Sequence, residues 1–115
     1  MKQLILTVSL FLGFVLIGKA QQATTQKAVI QTPGVHCDYC KRRIENYLTR
    51  QEGVTGALVD LKNKTTTVNW IKDRTNVEEV KTHIANTGYD ADDVEADEAT
   101  YNHLPKPCRT KPIKN

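Results

Sequence analysis

The chain has 115 residues, 39% of them hydrophobic and 25% charged, with 16 Lys or Arg against 13 Asp or Glu. That length holds one small domain with a modest core. The near-balance of charge, with no basic stripe interleaved with aromatics, excludes a nucleic-acid binder.

The chain opens on a basic Lys2, an almost wholly apolar run from Leu4 to Ile17, and Gly18-Lys19-Ala20, small residues three and one before a cut ahead of Gln21. The pattern predicts a secretory signal peptide over residues 1–20, its apolar run too short for a comfortable membrane span. No cysteine stands near the cut, which argues against a lipoprotein. The expected product is a secreted, periplasmic protein with no membrane insertion after cleavage. Losing Lys2 and Lys19 brings its net charge close to zero. Residues 21–26 are polar and read as a flexible lead-in.

Lys27 to Thr32 predicts a first strand, ended by Pro33-Gly34. A helix is expected from Asp38, a good N-cap residue, to Gln51, with Cys40, Ile44, Tyr47 and Leu48 forming one apolar stripe. Gly53 is positioned to close it. Val54 to Leu61, with Ala57, Val59 and Leu61 alternating and Gly56 marking an irregularity, predicts a second strand. After the polar turn Lys62-Asn63-Lys64, Thr65 to Ile71 predicts a third, with Thr66, Val68 and Trp70 on one face. Thr75 to Glu78 has capping-box spacing and opens a second helix with Val77, Val80 and Ile84 inward, ended by Gly88. Asp93 to Asp97 reads as a short acidic last strand. The order is β-α-β-β-α-β, an α+β ferredoxin-like sandwich with two helices on one face of an antiparallel sheet over residues 27–97. Residues 98–115 form an extension in which Asp97 to Leu104 can make one or two helical turns, stopped by Pro105 and Pro107. It carries Cys108 in a basic segment.

The chemistry concentrates at Gly34-Val35-His36-Cys37-Asp38-Tyr39-Cys40. Two residues between the cysteines let both sulfurs face one centre, and a helix N-terminus favours thiolate over thiol. Lys41, Arg42 and Arg43 add positive charge. Such a pair suits a soft metal ion or a redox disulfide. His36 offers a nitrogen that, with the cysteines, would suit zinc; the plainer reading is a solvated loop histidine whose ring diverges from Cys37. A c-type haem is excluded because Lys41, not His, follows Cys40. Trp70 and Tyr47 read as core, and His83 and His103 as surface residues.

This run resembles the heavy-metal-associated domain family, which includes copper chaperones and periplasmic mercury-binding proteins and shows Gly-Met-x-Cys-x-x-Cys between its first strand and helix. Val35 stands where that family has Met, keeping an apolar support under the loop. Gly53-Val54 and Gly88-Tyr89-Asp90-Ala91 also match the family's pattern. The resemblance implies soft-metal binding and transfer by ligand exchange, with no enzymatic activity. Cys37 and Cys40 would be the ligands, and Tyr89 would lie beside the site without binding. Cu(I) is the natural ion, with Hg(II) and Zn(II) as alternatives, and the partner would be another metal-transfer protein or a membrane transporter. The rival is a thiol–disulfide oxidoreductase, favoured by an oxidising compartment but opposed by the element order. Cys108 is either an additional thiolate near the site or a free or intermolecularly paired thiol of the extension.

Overall fold

The computed structural model describes residues 24–109. The predicted signal peptide and residues 21–23 lie outside the described residues, as do residues 110–115. Strands β1 (Thr25–Gln31), β2 (Val54–Asp60) and β3 (Thr65–Ile71) form an antiparallel sheet in the order β1-β3-β2. Helix α1 (Asp38–Thr49) connects β1 to β2, and helix α2 (Val77–Asn86) follows β3, succeeded by a short α3 (Glu98–His103) and a 3-10 turn at Lys106–Cys108.

The central strand β3 follows from its sequence. Its β-branched residues suit a pleated strand, and the alternation of side chains buries Thr66, Val68 and Trp70 together. Across the sheet Ile30, Thr66 and Val59 form one inward row, and Ala28, Val68 and Ala57 the next. The opposite face carries the row Val29, Thr67 and Leu58, where Val29 is 56% and Leu58 61% exposed. The helices therefore cover one face only. Ile44 and Leu48 of α1, and Val80 and Ile84 of α2, join Ile30 and Val68 in a single fully buried cluster. Each such side chain contributes about 1.5–3 kcal/mol of transfer free energy.

Several local details differ from the sequence-based expectation. β1 starts at Thr25, because Thr25 and Gln26 find partners in Ile71 and Trp70; two residues of the polar lead-in are thus strand. Cys37, not Asp38, occupies the N-cap position of α1, with an extended backbone. α2 is capped by Asn76, whose Oδ1 accepts from the Glu79 N–H at 2.9 Å, one residue later than the Thr75–Glu78 box. The irregularity at Gly56 is a register shift between Val54 and Gly56. Gly53 (φ 83°) makes the turn into β2, where a Cβ would lie 2.8 Å from that of Arg74.

The expected last strand is absent. Among the described residues that region contributes one isolated bridge, Ala91 to Val94, closing a tight turn with Asp92 at a left-handed φ of 52°. The segment still reaches the free edge of β1: the Asp92 N–H donates to the Gln31 carbonyl, and the Gln31 N–H donates to Asp92 Oδ1. Asp90 Oδ1 then accepts from the Ala96 N–H and holds the chain in a loop. Aspartates satisfy the backbone locally and compete with a ladder, which is why an Asp-rich run makes a turn here instead of a strand.

Beyond it, Asp97 caps α3 by accepting from the Thr100 N–H, and its own N–H donates to the Ala85 carbonyl at the end of α2. Leu104 and Cys108 are each 4% exposed and belong to the main core cluster. Gly88 (φ 102°) lets this segment approach: a Cβ there would stand 3.0 Å from Leu104 Cδ1.

Candidate metal centre

The centre lies between the end of β1 and the start of α1. Thr32 is buried and its hydroxyl pairs with that of Thr66 at 3.0 Å, while the Val35 N–H donates to the Thr32 carbonyl. Val35, fully buried, fills the space beneath the loop. Its apolar support survives the replacement of the usual Met.

Cys37 takes the place of a helix cap without making a capping hydrogen bond. Its sulfur faces the backbone N–H groups of Cys40 and Tyr39, the donors left over in the first turn of a helix. Foremost among its causes, the Cys40 N–H lowers the Cys37 pKa below the ordinary thiol value; burial opposes this, and the neighbouring sulfurs and Tyr39 N–H reinforce it. The open helix end thus favours a thiolate at Cys37.

Cys40 differs from Cys37 in its surroundings. It is fully buried, because it shares the inward stripe of α1 with Ile44 and Leu48. The two sulfurs stand 3.3 Å apart, and no disulfide joins them. Beside Cys40 sits Tyr89, 2% exposed, whose hydroxyl makes no hydrogen bond of standard geometry. Burial first, then the adjacent Cys40 sulfur, raises its pKa far above the ordinary phenol value, so the O–H stays intact. An O–H in that place can donate to a thiolate.

His36 is exposed, as the solvated reading expects, but its ring turns toward the cysteines instead of diverging from them. A ligand nitrogen of its ring and the sulfurs of Cys37 and Cys40 all lie within 4.8 Å of one another. Nδ1 bonds the Gly34 carbonyl at 3.0 Å and Nε2 bonds the Pro107 carbonyl. Carbonyls only accept, so each of these contacts favours a protonated ring nitrogen. The same two carbonyls, Gly34 first, raise the His36 pKa. In this arrangement the ring ties the loop to the C-terminal segment while staying beside the two sulfurs. Pro107 gave no signal in the sequence, because a main-chain acceptor is independent of residue type.

Cys108 arrives from that same segment. Its sulfur lies 3.7 Å from Cys37 Sγ, and burial, followed by the contact with Cys37, pushes its thiol up to about 12. The remaining histidines stand apart from the centre. His83 is half-buried rather than surface-exposed, its ring edge-on to Tyr47 with centroids 6.2 Å apart, and His103 is exposed and bonds the Ala99 carbonyl. Arg43, expected to add positive charge beside the thiols, donates its Nε–H to the Thr87 carbonyl at the end of α2.

Thiols gathered at an open helix end on this α+β scaffold define a soft-metal-binding domain. The chain belongs to the heavy-metal-associated domain family, whose pattern matches residues 29–90. It is 39% identical over 62 residues to the copper chaperone CopZ of Staphylococcus haemolyticus, a match covering 54% of this chain and 91% of that one. The solved structure of a CopZ metallochaperone is similar at 30% identity and a TM-score of 0.56, covering 57% of this chain and 98% of the other. A Cu(I)-loaded N-terminal domain of a potential copper-translocating P-type ATPase from Bacillus subtilis is 32% identical, with a TM-score of 0.57 and coverage of 60% and 86%. These relationships fit a ferredoxin-like metal carrier and not an enzyme, and the oxidoreductase reading is set aside.

Proposed function

We propose that the protein carries Cu(I) between Cys37 and Cys40 and hands it on by thiolate exchange. The observation that carries the reading is the 3.3 Å sulfur pair at the uncapped start of α1. Soft sulfur donors select Cu(I) over harder ions, and a low-coordinate ion can accept an incoming thiolate before it leaves the first. Metal binding displaces the thiol protons to water, and the copper remains Cu(I) throughout. Hg(II) and Zn(II) are the competing cargoes. The copper chaperones and the ATPase domain among the relatives support a receiver with the same fold: another metal-transfer protein or a domain of a membrane transporter.

The setting belongs to the same proposal. Residues 1–20 direct export, and the working protein begins at Gln21 in the periplasm or outside the cell. Mass spectrometry of the fractionated protein tests this: a chain retaining Met1 in the cytoplasmic fraction contradicts it. The metal assignment is tested by anaerobic titration of the reduced protein with Cu(I), Hg(II) and Zn(II) against competing chelators. Cu(I) is expected to bind with one equivalent and far more tightly than Zn(II). Equal or tighter Zn(II) binding contradicts the choice of metal.

A further inference from the structure

We infer that the C-terminal segment 98–109 is a built-in strap that places Cys108 as a third sulfur ligand, turning the two-cysteine motif into a three-thiolate site. The inference rests on the metal-carrying reading above and specifies its coordination. The family match ends at residue 90, so the strap lies outside the part that the chain shares with its relatives' pattern.

Three observations make this a built position and not a loose tail thiol. Leu104 is buried in the main core, against Gly88 and beside the tyrosine loop. The Asp97 N–H donates to the Ala85 carbonyl at 2.9 Å, fixing where the strap departs from α2. His36 bonds the Pro107 carbonyl, so the residue before Cys108 is latched to the residue before Cys37. Within the strap, the Cys108 N–H donates to the Pro105 carbonyl at 2.8 Å and Arg109 Nη1 donates to the Asn102 carbonyl. Pro105 and Pro107 restrict the unfolded chain and lower the entropy lost on docking.

The sulfur spacing distinguishes the coordination modes. With metal–sulfur bonds of about 2.3 Å, linear ligands lie about 4.6 Å apart and trigonal ligands about 4.0 Å apart. The observed separations are 3.3 Å for Cys37 to Cys40 and 3.7 Å for Cys37 to Cys108. A trigonal site needs the smaller opening at the two pairs that share Cys37, with Cys40 and Cys108 completing the triangle as the third pair. The fully buried Cys40 and the strapped Cys108 both resist the larger one. A third thiolate would also occupy the position that an incoming partner sulfur must take. The strap then retains the ion, and transfer waits until Cys108 gives way.

The test is X-ray absorption on the reduced, monomeric full chain loaded with one equivalent of Cu(I), alongside Cys108→Ser. Affinity is read by competition with bicinchoninate, and handover by the rate of copper transfer to a two-cysteine acceptor domain. Three sulfurs per copper are expected in the wild type and two in Cys108→Ser. The variant should show at least a tenfold weaker affinity and faster transfer. Two sulfurs in the wild type overturn the inference without recourse to any variant. Unchanged affinity and transfer rate in a folded Cys108→Ser overturn it as well. Failure of the underlying reading looks different: a Cys37→Ser/Cys40→Ser double variant that still binds Cu(I) as tightly as the wild type removes the motif and the strap together.

Discussion

The two principal helices begin in opposite ways. At α2, Asn76 Oδ1 accepts from the Glu79 N–H, and Thr75 Oγ1 donates to Glu79 Oε2 at 2.8 Å. At α1 the corresponding place is held by Cys37, which makes no capping hydrogen bond, although its backbone is extended like that of Asn76. The donors at α2 are spent on stability. Those at α1 face a sulfur and lower its pKa, favouring a thiolate where a neutral cap would be more stabilising. The same element of backbone geometry closes one helix and arms the other.

The largest effect expected is on metal binding. Cys37→Ser should weaken Cu(I) binding by more than a thousandfold in chelator competition, because serine oxygen is a poor soft-metal ligand. The same change should leave the fold intact, and its Oγ can cap α1 and add a few tenths of a kcal/mol, up to about 1, to apo stability in urea unfolding. A destabilised Cys37→Ser would mean that the half-buried sulfur contributes packing that outweighs the cap, and the contrast between the helix ends would fail.

Cys40→Ser separates function from packing in the other direction. It too should lose Cu(I), but the hydroxyl would be buried at a fully enclosed position, costing about 1–3 kcal/mol. Equal stability of the two serine variants would contradict the division into a cap-position thiol and a core thiol. Asn76→Ala comes next, at about 1 kcal/mol, with a fall in Tm of roughly 4–8 °C and no change in Cu(I) affinity. Altered metal affinity in that variant would show that the two helix ends are coupled.

The smallest effect is in the pH dependence of the thiols. Cys37 is lowered and Cys108 is raised to about 12, so iodoacetamide should label Cys37 well below the pH at which it reaches Cys108. The signs differ for stability as well. The lowered Cys37 contributes stability above its unfolded pKa that fades as pH falls through the folded value. The raised Cys108 favours the folded apo protein below its unfolded pKa of about 8.5, and that contribution is lost as pH rises toward the folded value. Equal labelling of both thiols across the range would erase the distinction between the open helix end and the strap.

By itself the sequence determined the framework, because those signals are local. Alternation in Thr65–Ile71, the apolar stripe through Cys40, Ile44 and Leu48, and the glycines at 53 and 88 are each read within a few residues. The Cys-x-x-Cys spacing is equally local: the step from helix cap to first turn brings two sulfurs to one centre. Tertiary structure decided everything that depends on distant chain segments meeting. Asp90 and Asp92 converted the expected last strand into a loop by bonding backbone N–H groups, a contest between side chain and ladder that a strand pattern does not reveal. His36 became a latch through a carbonyl 71 residues away, and Cys108 reached Cys37 across the same separation. Closing so long a loop is an entropic cost that no local pattern encodes. It is met here by the burial of Leu104 and by the bonds that hold the strap in place.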